Sequence, residues 1–236
     1  MNNSESNNST ASKIYEEMNK SGEMTLINYS AGKENLSPRT FNGTGFVIAV
    51  LFDKESNSLL EKISDRLSKI FNESCIEFSM NGVRNGIPYH GTILDGKYVG
   101  SDKERLEKYI TLKNDTRLNT VSENLSNLII KLDSLVITSS SILMAASVVP
   151  IEILETKEII KSIFKDRLYS LQNFKPKDPI LFITIARLKK ILDKRLVLDY
   201  LSKLQSLKYD INSNPIEVKT ASSFVGFAIN LIPKDI

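Results

Sequence analysis

Pro88-Tyr89-His90-Gly91-Thr92-Ile93-Leu94 is a strand-like run that carries the only histidine in the chain. Period-two alternation puts His90 and Thr92 on one face, about 7 Å apart along the strand, and sends Tyr89 to the other. An imidazole titrates near neutrality and passes a proton. A hydroxyl beside it donates a hydrogen bond to a phosphate oxygen. Taken alone, the pattern reads first as a lone histidine satisfied within a sheet. Upstream, Ile76 to Met80 is a second strand-like run, and Asn81-Gly82 and Asn85-Gly86 lie between the two. Asn-Gly pairs favour tight turns because both residues tolerate positive φ. The two runs read as a β-hairpin with His90 in its second arm.

Before this hairpin, Gly45-Phe46-Val47-Ile48-Ala49-Val50-Leu51-Phe52 is a continuous apolar run, as a strand covered on both faces shows. Asp53 and Lys54 end it. A helix follows, with Leu59, Leu60, Ile63, Leu67, Ile70 and Phe71 on one stripe. After the hairpin, residues 101 to 113 read as a short helix and 118 to 132 as a firmer one. Two short strands follow, Leu135 to Thr138 and about Leu143 to Val149, closed by Pro150. A helix striped by Ile159, Ile160, Ile163 and Leu168 comes next. Ile180 to Arg187 is a further strand, then a helix with Leu192, Leu196, Leu201 and Leu204. The chain closes in strand-like Ile216 to Val218 and Phe224 to Leu231.

The strand after the loop, Ile180-Leu181-Phe182-Ile183-Thr184-Ile185-Ala186-Arg187, repeats the X-x-Thr arrangement of the first. Alternation places Phe182, Thr184 and Ala186 together. Arg187 stands at the strand end, where a guanidinium reaches a phosphate bidentately. Read singly, Phe182 is a core aromatic and Arg187 a surface cation.

Composition narrows the classes. The 236 residues are 41% hydrophobic and 25% charged, with a net charge of +3 spread along the chain. A single globular domain fits, whereas a strongly basic nucleic-acid coat does not. One histidine and one cysteine, Cys75, exclude an internal disulfide and argue against a zinc or transition-metal site. No apolar run reaches transmembrane length, and the Asn/Ser-rich start lacks the pattern of a secretory signal. A cytoplasmic protein is expected, soluble and not membrane-bound. Residues 1 to about 40 are polar, with a short apolar stretch at Ile14, Tyr15 and Met18 that fits one or two helical turns, and read as a mostly flexible tail or a loosely docked extension.

His90-Gly91-Thr92-Ile93-Leu94 together with Thr184-Ile185-Ala186-Arg187 resembles the paired motifs of the 2H (two-histidine) phosphoesterases. That family includes the RNA 2',3'-cyclic phosphodiesterases, also called 2'-5' RNA ligases. Its signature is two His-x-Thr/Ser motifs far apart in sequence, the second often continuing Thr-Leu-Ala-Arg. The resemblance spans residues 43 to 233, read as one domain. It implies an α/β (α+β) bilobal fold, with two mainly antiparallel sheets forming a central cleft and helices outside. It also implies catalytic roles for His90, Thr92 and Thr184, ligand contact by Phe182 and Arg187, and neither metal nor cofactor. In the family one histidine is the general base, the other protonates the leaving oxygen, and the threonines hold the phosphate. Here Phe182 replaces the second histidine, and a phenyl ring transfers no proton.

The expected function is therefore a monomeric 2H-like protein that binds the phosphodiester of an RNA end or small nucleotide (2',3'-cyclic, 2'-5' or cyclic oligonucleotide) in a central cleft, with hydrolysis weakened or lost. One alternative is an active metal-independent cyclic phosphodiesterase using His90 plus a replacement acid. The other is a non-enzymatic interaction module that kept only the fold.

Overall fold

The computed structural model describes residues 3–36, 44–71, 78–80, 88–97, 101, 103, 107, 110, 114–167, 180–188, 192–229 and 232–233. Nine strands carry the architecture: β1 (Thr44–Phe52), β2 (Phe78–Met80), β3 (His90–Lys97), β4 (Ile129–Leu132), β5 (Ser134–Ile137), β6 (Ser141–Ala145), β7 (Phe182–Leu188), β8 (Ile216–Ile229) and β9 (Ile232–Pro233). Five helices among the described residues accompany them: α1 (Asn3–Ser30), α2 (Lys54–Ile70), α3 (Arg117–Asn124), α4 (Ile151–Arg167) and α5 (Val197–Ser213). The fold class is mixed α/β, built on an antiparallel sheet nearly closed into a barrel. Its strand order is β4-β8-β1-β3-β7-β6-β5, with β2 beside β7 and β9 beside β8.

The apolar run 45–52 forms β1 as its composition dictates. It pairs with β3 on one side and β8 on the other, so both of its edges are covered, and Val47, Ile48, Ala49 and Val50 are all buried. Asp53 then caps α2, accepting from the Ser56 N–H at 2.8 Å. Leu60, Ile63 and Leu67 of α2 turn inward onto the main core, with Ile48, Val50, Ile93, Leu181, Ile183 and Ile185 from the sheet.

Four expectations differ from what the chain does. Among the described residues the supposed hairpin arms do not pair with each other. Instead β2 and β3 lie in succession along one edge of β7, Phe78 opposite Leu188 and Gly91 opposite Ile183. The expected helix over 118–132 stops at Asn124, because Asn127 adopts a positive φ of 59°. Residues 129–132 then join β8 as an edge strand, and the Leu128 N–H donates to Thr220 Oγ1 at 2.8 Å. The two closing strands are one long strand, β8, which holds β4 with its first residues and β1 with the rest. The helix expected over 101–113 falls mostly outside the described residues.

The fourth difference lies at the start of the chain, where the flexible extension is replaced by a 28-residue helix docked on the sheet. Its polar composition hid a sparse buried stripe: Ala11, Tyr15, Asn19, Leu26 and Tyr29 are all buried, at helical spacings of three, four and seven. Asn19 Oδ1 accepts from the Ile137 N–H at 2.9 Å and so covers the free edge of β5. Gly22 packs directly on the β5 backbone. A helix that satisfies an edge strand gains more from docking than its composition indicates.

Candidate functional site

The pairing of Gly91 with Ile183 decides the site. In an antiparallel pair, residues flanking such a bridge stand opposite each other and point to the face away from it. His90 therefore faces Thr184 and Thr92 faces Phe182, with opposed Cβ atoms about 5 Å apart. Gly91 and Ile183 point the other way. A Cβ at Gly91 would lie 2.8 Å from Val50 Cγ2 and 3.3 Å from Leu181 Cδ1, which shows how closely the main core packs there. The structure thus gathers His90, Thr92, Phe182 and Thr184 on one face of the β3–β7 seam.

Both motif strands break step at the same point. Along β3, Thr92 pairs with Ala49 but Leu94 with Ile48, leaving Ile93 as the extra residue. Along β7, Thr184 pairs with Leu143 but Ala186 with Ile142, leaving Ile185 extra. Each bulge falls one residue after the threonine. The two motif strands are thus related by a local two-fold about the Gly91–Ile183 pair, which no sequence repeat revealed.

The second bulge corrects the expected grouping of Phe182, Thr184 and Ala186. Leu143 and Ile142 alternate faces along β6, so their partners Thr184 and Ala186 do too. Ala186 belongs to the main core. Arg187 is returned to the side of Thr184, near enough for its charge to act on His90.

His90 is only 7% exposed, and its Nδ1 lies 2.9 Å from the Pro88 carbonyl oxygen. A carbonyl only accepts, so in the neutral ring Nδ1 carries the proton and Nε2 keeps its lone pair. Burial lowers the His90 pKa below its ordinary value, and the Arg187 cation lowers it further against the Pro88 hydrogen bond. The site thus holds a neutral imidazole at pH 7, a form fitted to accept a proton. Thr184 is 6% exposed and Thr92 half-buried. Tyr89 is fully buried on the opposite face, where burial raises its hydroxyl pKa.

Phe182 is the residue whose surroundings the sequence concealed. It packs with Ile14 and Met18 against a small cluster of Ala11, Tyr15, Val136, Leu143, Ala145 and Ile180, separate from the main core. The Tyr15 hydroxyl donates to the Leu181 carbonyl and accepts from the Leu181 N–H, each at 2.7 Å. Lys157 was also missed. It is fully buried on α4 and its Nζ donates to the Ile180 carbonyl at 2.9 Å. Its signal was legible, since it stands four residues after Ile153 and three before Ile160, on the buried stripe.

Among the described residues no group of three or more His, Cys, Asp or Glu comes together to hold a metal ion. No helix there is long and apolar enough to cross a membrane.

No family profile and no curated protein matches the chain. Solved structures do. A conserved protein of unknown function, ATU0111 from Agrobacterium tumefaciens, aligns over 85% of this chain and 97% of its own, with a TM-score of 0.48 and 10% identity. TT0787 of Thermus thermophilus aligns over 78% and 86%, with a TM-score of 0.45 and 14% identity. Usb1 of Kluyveromyces marxianus aligns over 80% and 95%, with a TM-score of 0.43 and 10% identity.

Proposed function

We propose that this chain is a 2H phosphoesterase-like protein that binds the phosphodiester of an RNA end or small nucleotide on the face bearing His90, Thr92, Thr184 and Arg187, with hydrolysis weakened or lost. The observation that supports it most is the Gly91–Ile183 pairing with its matched bulges. It sets two X-x-Thr elements in the opposed arrangement that paired phosphate-holding motifs require.

The chemistry follows from the groups present. Two threonine hydroxyls from opposite strands donate to phosphate oxygens, and the guanidinium of Arg187 takes another oxygen through its planar fork. His90 Nε2, left without a proton by the tautomer that the Pro88 hydrogen bond fixes, with burial favouring the neutral ring, accepts the proton of an attacking hydroxyl or water. Departure of the other oxygen requires a proton as well. In the family the second histidine of the acid–base pair stands at the position that Phe182 occupies here. Loss of one acid–base partner costs about 10²–10⁴-fold in rate, so binding outlasts turnover. No metal or cofactor enters this scheme.

One observation favours a second reading. Phe182 packs against a cluster that includes Ala11 and Tyr15 of the chain's own α1, as expected for an interaction module that retained the fold and lost the site. Calorimetric titration with a 2',3'-cyclic nucleotide, a 2'-5'-linked dinucleotide and a cyclic dinucleotide separates the two. Binding to one of them that weakens in Thr92→Ala and Thr184→Ala supports the phosphodiester site. Absence of binding to all three, or equal binding in the variants, supports the module.

A further inference from the structure

Phe182 stands opposite Thr92 on the candidate face, and it packs against the same small cluster that holds Ala11 and Tyr15 of α1. The path of α1 explains how. Gly22 rests on the β5 backbone at Ile137 and Thr138. Eleven residues earlier, Ala11 lies among Leu143 of β6, Ile180 and Phe182. That interval is about 16 Å of helix, enough to cross from β5 over β6 to β7 at about 4.8 Å per strand.

The fastening is of mixed character. Ala11 is 1% exposed, so its methyl group is sealed against the sheet. Tyr15 is buried and its hydroxyl clamps both backbone groups of Leu181, the residue before Phe182. Asn19 satisfies the β5 edge. Leu26 and Tyr29 tie the later half of α1 to the main core, whereas the half that carries Ala11 and Tyr15 rests on a small cluster separate from it. Such an element opens locally at lower free energy than the domain unfolds.

We propose that the sheet face around Phe182 is a helix-docking surface whose resident occupant is α1, and that docked α1 shuts the Phe182–Thr92 end of the site. Phe182 is then an anchor for the chain's own helix. The aromatic ring at this position buys closure of the site where a histidine would buy proton transfer. A ligand that needs the whole face competes with α1, so ligand binding and helix docking oppose each other with one coupling energy. That the occluded ligand is a phosphodiester rests on the reading above; the occlusion itself does not.

The test uses the full chain with Ala11→Lys, which sets an ammonium where a methyl is sealed, and Tyr15→Phe, which keeps the ring and removes only the clamping hydroxyl. Hydrogen exchange over residues 10–24 shows whether α1 is released, and Tyr15→Phe serves where Ala11→Lys fails to fold. Site access is read without any ligand, as the rate at which diethyl pyrocarbonate modifies His90, the sole histidine. Release of α1 is expected to speed this reaction about tenfold, the factor by which a state open one part in ten depresses apparent access. An unchanged rate at His90 in a variant whose α1 amides have lost protection overturns the proposal. Titration with uridine 2',3'-cyclic monophosphate is the separate arm. Tighter binding in the released variants supports both readings. Faster modification with no nucleotide binding keeps the docking surface and removes the phosphodiester.

Discussion

Replacing Gly22 by alanine distinguishes a docked α1 from a free one, because the two situations give opposite signs. In an unattached helix alanine is better than glycine by about 1 kcal/mol, since glycine loses more backbone entropy. In the docked helix a Cβ at this position would lie 2.2 Å from the Ile137 carbonyl oxygen and 2.5 Å from Thr138 Cα. Both are backbone atoms of β5 and the loop after it, so no rotamer change relieves the clash. Either β5 shifts or the helix lifts. Overpacking of this kind costs about 1–3 kcal/mol. Lifting also stretches the 2.9 Å bond from the Ile137 N–H to Asn19, worth about 1 kcal/mol. With the propensity gain subtracted, Gly22→Ala should destabilise by about 1–3 kcal/mol. For a chain of this length that lowers Tm by about 2–4 °C for each kcal/mol. Urea denaturation gives the stability, and hydrogen exchange locates the loss. The expected result is lower stability with protection lost first over residues 10–24. Unchanged or raised stability with intact α1 protection refutes the docked geometry.

Two further outcomes follow from the site. The folded-state pKa of His90 is lowered by burial and then by Arg187, so the unfolded chain binds more protons between that value and the ordinary value of about 6.5. Stability should therefore fall as the pH drops through about 6.5 towards the folded-state value, and His90→Gln should flatten that segment of the curve. The single imidazole NMR signal tests this directly, since a midpoint at or above 6.5 contradicts the burial argument. Phe182→His places a second imidazole opposite Thr92, related by the local two-fold to His90 opposite Thr184. Turnover of a 2',3'-cyclic nucleotide should rise by about 10²–10⁴-fold over the parent chain, and α1 should lose protection as its anchor goes. Turnover that stays at the parent level, in a variant that still binds the nucleotide, contradicts the assigned geometry.

The strongly apolar parts of this fold were legible in the sequence. The run 45–52 and the stripe of α2 announce themselves because burial on both faces, or on one, leaves a simple period. His90, Thr92, Phe182 and Thr184 were legible as X-x-Thr pairs, and alternation alone grouped each pair. Long-range pairing was not legible. The Asn-Gly pairs indicated a hairpin, whereas β2 and β3 each pair with β7, because β7 offers one edge to both. The bulges at Ile93 and Ile185 were invisible for the same reason, since a bulge is a property of two strands rather than one. Arg187 consequently lands beside the site by a route that alternation does not predict. The docking of α1 was hidden because its buried residues include Asn19 and Gly22, which read as breakers of an apolar stripe. Asn19 is buried for its hydrogen bond and Gly22 for close backbone approach.

The most direct test of the account is where a phosphodiester sits. A crystal structure of the protein with uridine 2',3'-cyclic monophosphate should place the phosphate between the hydroxyls of Thr92 and Thr184. His90 Nε2 and the Arg187 guanidinium should lie within hydrogen-bond reach of its oxygens. A nucleotide bound elsewhere on the chain, with the face between Thr92 and Thr184 unoccupied, would contradict it.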